Sequence, residues 1–303
     1  TNAPIEIACL KPPSNHHELK ENELYSAGDN INIYGCNKNL RRVNGNKCIL
    51  YLYYCKFTSI TDSTSTTGGG AIYVFNQNSG TPSGKINYID NCVFDSCTSK
   101  FGGAISILTA QYVRLFNITN CIFKQNKATD STKGGGAICF IASYGNIDNC
   151  KFYNNYAIKG GDIYYSGNNK DAKDPNKLNI LSNYFERNLD DDSTPSIIYL
   201  DWNANKGSIL AFKKNIIMIT NSKKIYLFER GSLQVTSTLT MGSNCISPQL
   251  GYICDQKFTD ISNIASKSGS FLDFCIQKNT KSLSPTITET PYPTVTQTPT
   301  KSP

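Results

Sequence analysis

Short runs of β-branched and aromatic residues alternate along the chain with stretches of Ser, Thr, Asn and Gly. Lys85-Ile86-Asn87-Tyr88-Ile89 and Val113-Arg114-Leu115-Phe116 are typical runs, and their composition predicts strands. No unit of this pattern holds a ten-residue helical period, which argues against leucine-rich, ankyrin and other helix-containing arrays. Near the amino end, Asn15 with Glu18 three residues on predicts one short helix.

The runs belong to an internal repeat. Tyr54-Cys55-Lys56-Phe57, Asn91-Cys92-Val93-Phe94, Asn120-Cys121-Ile122-Phe123 and Asn149-Cys150-Lys151-Phe152 align, with Ile60, Cys97, Asn126 and Asn155 three residues after each Phe. Each unit then reaches a glycine pair: Gly69-Gly70-Ala71-Ile72, Gly102-Gly103-Ala104-Ile105, Gly135-Gly136-Ala137-Ile138 and Gly160-Gly161-Asp162-Ile163. Weaker copies follow at Ser182-Asn183-Tyr184-Phe185 with Asn188, at Asn215-Ile216-Ile217-Met218 with Asn221, and at Asn244-Cys245. On this alignment the Cys slots fall at 55, 92, 121, 150, 183, 216 and 245. Such spacing is that of a solenoid whose repeats touch only their neighbours. Strands without helices make it an all-β parallel β-helix of about seven coils, with about 4.8 Å between coils.

That geometry assigns structural tasks to the repeated letters. Phe57, Phe94, Phe123, Phe152 and Phe185 are expected to form an internal aromatic ladder. Asn126, Asn155, Asn188 and Asn221 are expected to share one turn, each amide bonding its copy in the next coil. The glycine pair supplies a φ > 0 corner or a close approach that Cβ would block. Stacked copies place Cys92, Cys121 and Cys150 near disulfide distance but with parallel side chains, so they are read as buried thiols or lateral partners. Cys9, Cys36 and Cys48, and Cys245, Cys254 and Cys275, are placed to staple the two ends.

The alternation of Gly-Gly-Ala-Ile with Phe-x-x-Asn resembles the repeats of chlamydial polymorphic membrane proteins. It is also similar to the Pmp-like surface proteins of trichomonad parasites, which add a Thr/Pro-rich juxtamembrane stalk. Phe123-x-x-Asn126, Phe152-x-x-Asn155 and Phe185-x-x-Asn188 match in full, whereas Phe57-x-x-Ile60 and Phe94-x-x-Cys97 depart at the Asn. The resemblance covers residues 50–190 well and 190–250 faintly. It implies a right-handed β-helix at a cell surface, acting in adhesion to host cells, and it carries over no catalytic residue.

Composition bears on the setting. Twelve cysteines in 303 residues suit an oxidising compartment. No C-x-x-C pair occurs and both histidines, His16 and His17, lie outside the repeat, so neither a metal nor a cofactor is expected. Thr1-Asn2-Ala3-Pro4 lack the basic start and apolar core of a leader, as a processed chain would. Residues 282–303 hold seven Thr, three Ser and five Pro, the composition of an exposed, O-glycosylated stalk. Residues 1–45 are read as an amino-terminal cap, 46–255 as the β-helix, 256–281 as a second cap and 282–303 as the stalk. Membrane attachment would require an anchor beyond Pro303.

Candidate chemistry is sparse. Asp190-Asp191-Asp192 near Arg187, with Asp162 a coil earlier, are the carboxylates a β-helix hydrolase would need. The Gly-His-Gly and Arg-Ile-Lys stretches of polygalacturonase-like enzymes are absent. The formal net charge of +7 includes Lys38, Arg41, Arg42 and Lys47, and a later cluster of Lys213, Lys214, Lys223 and Lys224 that could hold acidic glycans. Asn117-Ile118-Thr119 is the chain's only N-glycosylation sequon, although it falls in an expected strand. Variable gaps at 58–68, 76–85, 124–134 and 165–177 would map to loops that make a binding face. The expected function is a surface-displayed, non-enzymatic adhesin binding a host receptor or glycan, with no nucleic-acid partner. A carbohydrate-active β-helix enzyme and a structural spacer are the alternatives.

Overall fold

The computed structural model describes residues 25–27, 31–34, 43–46, 50–62, 68–76, 86–109, 115–141, 144–166, 176–188, 196–202, 208–219, 226–233, 238–242, 244–246 and 252–254. Among them the secondary structure is all strand, arranged in three long sheets of nine, eight and seven strands and one short pair. Neighbouring strands within each sheet are parallel. The chain is a parallel β-helix. Nine strands at about 4.8 Å span roughly 38 Å.

One central coil shows the path. Leu115–Thr119 lies in the eight-stranded sheet, Ile122–Lys124 in the seven-stranded sheet, and Ile138–Ile141 in the nine-stranded sheet. Between the last two, Lys127–Ala128 pairs with Thr98–Ser99. Part of the predicted 124–134 gap is therefore wall of the solenoid, with Asn126 and Ala128 buried. Register sets like over like: Phe123 pairs with Phe94 and Phe152, and Ile138 with Ile105 and Ile163.

Tight corners make this stacking possible. The residue before each Cys slot is left-handed, with φ of 52°, 53° and 51° at Asn91, Asn120 and Asn149. Asparagine tolerates that conformation better than most side chains. A second left-handed corner follows each Phe by two residues, at Ser59, Ser96, Gln125 and Asn154. The two glycines of each pair have different reasons. The first has φ of +68°, +59°, +76° and +62° at Gly69, Gly102, Gly135 and Gly160. The second lies under the next coil: a Cβ on Gly70 would meet the Gly103 carbonyl oxygen at 2.5 Å, and one on Gly103 would strike that of Gly136.

The interior is a column of stacked side chains. Phe57, Phe94, Phe123, Phe152 and Phe185 are buried, with successive ring centroids 5.1, 4.9, 4.9 and 4.7 Å apart and planes within 9° of parallel. Ile217 occupies the next position and ends the ladder. Cys55, Cys92, Cys121 and Cys150 form a second buried row, and these four, with Cys97 and Cys139, are not in disulfides. Cys121 Sγ donates to the Thr119 and Ile89 carbonyls at 3.1 and 3.5 Å and accepts from the Cys92 amide at 3.4 Å. Burial pushes the Cys121 thiol up, and pushes that of Cys97 up to about 12, so both are poor thiolates.

At the amino end, Tyr25–Ala27 and Ile31–Tyr34 pair in parallel with Val43–Asn46 and Leu50–Tyr53. Coil pairing thus starts inside the segment read as a cap. The Asn15–Glu18 helix start, His16, His17, Cys9, Cys36, Cys48, Cys275 and residues 256–303 lie outside the described residues.

Candidate binding surface

Two asparagine ladders run through the interior, and only one was expected. In the first, Asn126 and Asn155 are fully buried. Asn126 Nδ2 donates to Asn155 Oδ1 at 2.9 Å and to the Phe94 carbonyl at 3.0 Å, and its Oδ1 accepts from the Cys97 amide at 3.0 Å. Asn188 does not join them. Its coil lacks the left-handed corner of Gln125 and Asn154; the strand Tyr184–Arg187 runs on, turning Arg187 inward and leaving Asn188 exposed. Asn221 lies outside the described residues.

The second ladder continues the Cys row. Asn183 Oδ1 accepts from the Cys150 amide at 2.8 Å, Asn215 Oδ1 from the Asn183 amide at 2.9 Å, and Asn244 Oδ1 from the Asn215 amide at 2.9 Å. The last two Cys slots are therefore 215 and 244, one residue earlier than the sequence alignment placed them. Cys245 pairs with Ile216, an exposed position outside the row. The spacing of 32 and then 29 residues between these asparagines carries the signal.

The carboxylate weighed for catalysis is inside the wall. Asp162 and Arg187 are 1% and 2% exposed, with Arg187 Nη2 3.4 Å from Asp162 Oδ2. Asn155 Nδ2 donates to Asp162 Oδ1 at 2.8 Å, so the ion pair closes the end of the first ladder. Burial pushes the Asp162 carboxyl up, against the pull of Arg187 and Asn155. Arg187 Nε has no hydrogen-bond partner among the described residues. Asp162 departs from the Gly-Gly-Ala-Ile pattern in the coil just before the one where Arg187 departs from the corner. Asp190, Asp191 and Asp192 are outside the described residues. No three His, Cys, Asp or Glu side chains are grouped to hold a metal among the described residues.

The three outer faces differ. On the eight-stranded sheet, register aligns Tyr51, Tyr88, Asn117, Asn146 and Asn179. Asn117, the sequon residue, is half-buried there between inward Phe116 and Ile118. Beside it, Asp90 accepts from Thr119 Oγ1 at 2.5 Å and Asn120 Nδ2 at 2.8 Å. Exposed Lys213 and Lys214 stand at the end of this sheet, Lys214 at a left-handed corner. Lys223 and Lys224 lie outside the described residues, as do Lys38, Arg41, Arg42 and Lys47.

The seven-stranded sheet carries a surface pair, Lys124 with Asp95 at 3.8 Å, which adds little in water. On the nine-stranded sheet Cys139, Tyr164 and Tyr199 follow one another in an outer row between Ser106 and Glu229. Phe101, Cys139, Tyr164 and Tyr199 form a second cluster, with the two tyrosine rings stacked at 5.5 Å. Lys133 and Lys159 place their ammonium groups 4.8 and 5.2 Å from the Phe101 and Tyr199 rings.

Connections of unequal length link the nine-stranded to the eight-stranded sheet. The chain passes from the nine-stranded to the eight-stranded sheet through 77–85, 110–114, 142–143, 167–175, 203–207 and 234–237. By contrast, the passage from the eight- to the seven-stranded sheet is a two-residue corner at 54–55, 91–92, 120–121, 149–150, 182–183 and 214–215. The passage from the seven- to the nine-stranded sheet also varies, from five to thirteen residues, so the eight-to-seven corner is the uniform edge of the solenoid.

Fold and ladders together define a β-solenoid built from a two-part coil repeat. Residues 120–141 match the family model described as the Chlamydia polymorphic membrane protein (Chlamydia_PMP) repeat. The match runs from the Asn120 corner through Phe123 and Asn126 to Gly135, Gly136 and Ile138, so this coil is a Pmp-like repeat. No curated protein and no solved structure matches the chain.

Proposed function

We propose that the chain is the ectodomain of a surface-displayed adhesin, non-enzymatic, that binds a host-cell receptor or glycan through the variable nine-to-eight edge of the solenoid. The observation that carries this reading is that the connections from the nine- to the eight-stranded sheet vary from two to nine residues, whereas the next corner of every coil is fixed at two. A rigid scaffold with a variable edge separates stability from recognition. The match of residues 120–141 to the polymorphic membrane protein repeat supports display at a surface. The buried Asp162–Arg187 pair removes one carboxylate from any hydrolytic role that needs access to a sugar.

Exchange of 77–85 and 167–175 for short Gly/Ser turns tests the reading. Binding of the variant to epithelial cells should fall by at least about tenfold, equal to ~1.4 kcal/mol. The far-UV circular dichroism should stay unchanged, because both exchanges leave every described strand intact. Undiminished binding would place recognition on the sheet faces or on Lys213 and Lys214.

A further inference from the structure

The amide ladder on the outer face of the eight-stranded sheet has a direction. Asn179 Nδ2 donates to Asn146 Oδ1 at 2.6 Å, and Asn146 Nδ2 donates to Asn117 Oδ1 at 2.8 Å. Every amide nitrogen therefore points toward the amino-terminal coils and every carbonyl toward the carboxy-terminal ones. Asn117 is the ladder's first member. Its carbonyl is engaged by Asn146, which turns its Nδ2 away from that coil, and the adjoining position on the other side is Tyr88. Tyr88 is half-buried and stacks on Tyr51 in the next coil, centroids 5.8 Å apart and planes 15° from parallel. The one nitrogen that a sequon modifies is thus the one that the ladder leaves unused, and it adjoins an aromatic platform.

We propose that Asn117 is N-glycosylated and that its first sugar rests on the Tyr88–Tyr51 platform. The inference rests on the surface reading, since it requires passage through a secretory compartment. In the step itself, Nδ2 bonds to the anomeric carbon of an N-acetylhexosamine carried on a lipid pyrophosphate. The bond from that carbon to the phosphate oxygen breaks, the pyrophosphate leaves with the electron pair, and one amide proton is lost. Thr119, the sequon hydroxyl, donates to Asp90 in the folded coil, so modification precedes coil closure. Folding then accommodates the glycan, because Asn117 faces outward and its carbonyl still accepts from Asn146. Sugar C–H groups carry partial positive charge and pack on the negative face of a ring, which Tyr88 supplies.

The full chain, secreted from a eukaryotic cell line behind a leader, provides the test. Trypsin releases residues 115–124 as one peptide. That peptide should be found almost wholly glycosylated and should take up heavy oxygen at Asn117 on enzymatic deglycosylation in labelled water. Thr119→Ala should abolish the modification and Thr119→Ser should retain it. Enzymatic removal of the glycan should lower the melting temperature of the wild-type chain but not that of Tyr88→Ala. Secreted protein with an unmodified 115–124 peptide overturns the inference and leaves the surface reading standing. A glycan whose removal lowers wild-type and Tyr88→Ala melting temperatures equally overturns the platform. Immunolocalisation of the untagged chain inside the cells that make it would instead remove the surface reading.

Discussion

Asp162→Ala should destabilise the solenoid by about 3–5 kcal/mol, the usual cost of stranding one partner of a buried ion pair. Arg187 is 2% exposed, and its guanidinium would lose its only carboxylate among the described residues. The double variant Asp162→Ala/Arg187→Met should recover most of that loss, because alanine is the residue at 71, 104 and 137 and methionine packs without a charge. Arg187→Met alone adds a pH signature. Burial already raises the Asp162 carboxyl, and removing Arg187 raises it further. The native state then holds a proton that the unfolded chain has released, so stability falls as pH rises from about 4 through the folded-state value. Urea titrations between pH 4 and 7 should show that fall in Arg187→Met and not in the double variant.

Phe123→Ala should cost a similar amount, about 3–5 kcal/mol, for a different reason. The ring sits between Phe94 and Phe152 at 4.9 Å on each side, so its removal opens a cavity in a column held by backbone pairing above and below. The coils cannot close the gap without breaking their 4.8 Å spacing. Because each coil touches only its neighbours, the damage should be local. Hydrogen exchange should quicken in Val93–Asp95, Ile122–Lys124 and Lys151–Tyr153 and stay unchanged in Ser208–Lys213. Uniform quickening of all coils would mean that the stack unfolds as one unit.

These two sites also show what the sequence makes legible. The phenylalanine row could be read directly, because a large apolar ring recurring at one slot has one place to go. The glycine pair was equally legible, since left-handed φ and close backbone approach both demand the same letter. Asparagine was ambiguous. It marks the left-handed corner at 91, 120 and 149 and the buried ladder at 183, 215 and 244. The letter alone does not say which, and the last two coils were aligned one residue late for that reason. Asn188 failed similarly: whether a corner or a continued strand follows Phe185 depends on Arg187 finding Asp162, a contact between positions 25 residues apart. The second corner was invisible because Ser59, Ser96, Gln125 and Asn154 share a conformation and not a residue type. The outer faces were the hardest to read. The polarity of the Asn117–Asn146–Asn179 ladder depends on hydrogen bonds between coils.

The proposed adhesin is held together by internal ladders, binds through a variable edge and performs no catalysis. That combination is tested most directly by adding the purified full chain to epithelial cells over a range of concentrations, while the same preparation is assayed for release of reducing ends from polysaccharides. Saturable binding with no turnover is the predicted result. Turnover without saturable binding would contradict the account and make the solenoid a carbohydrate-active enzyme.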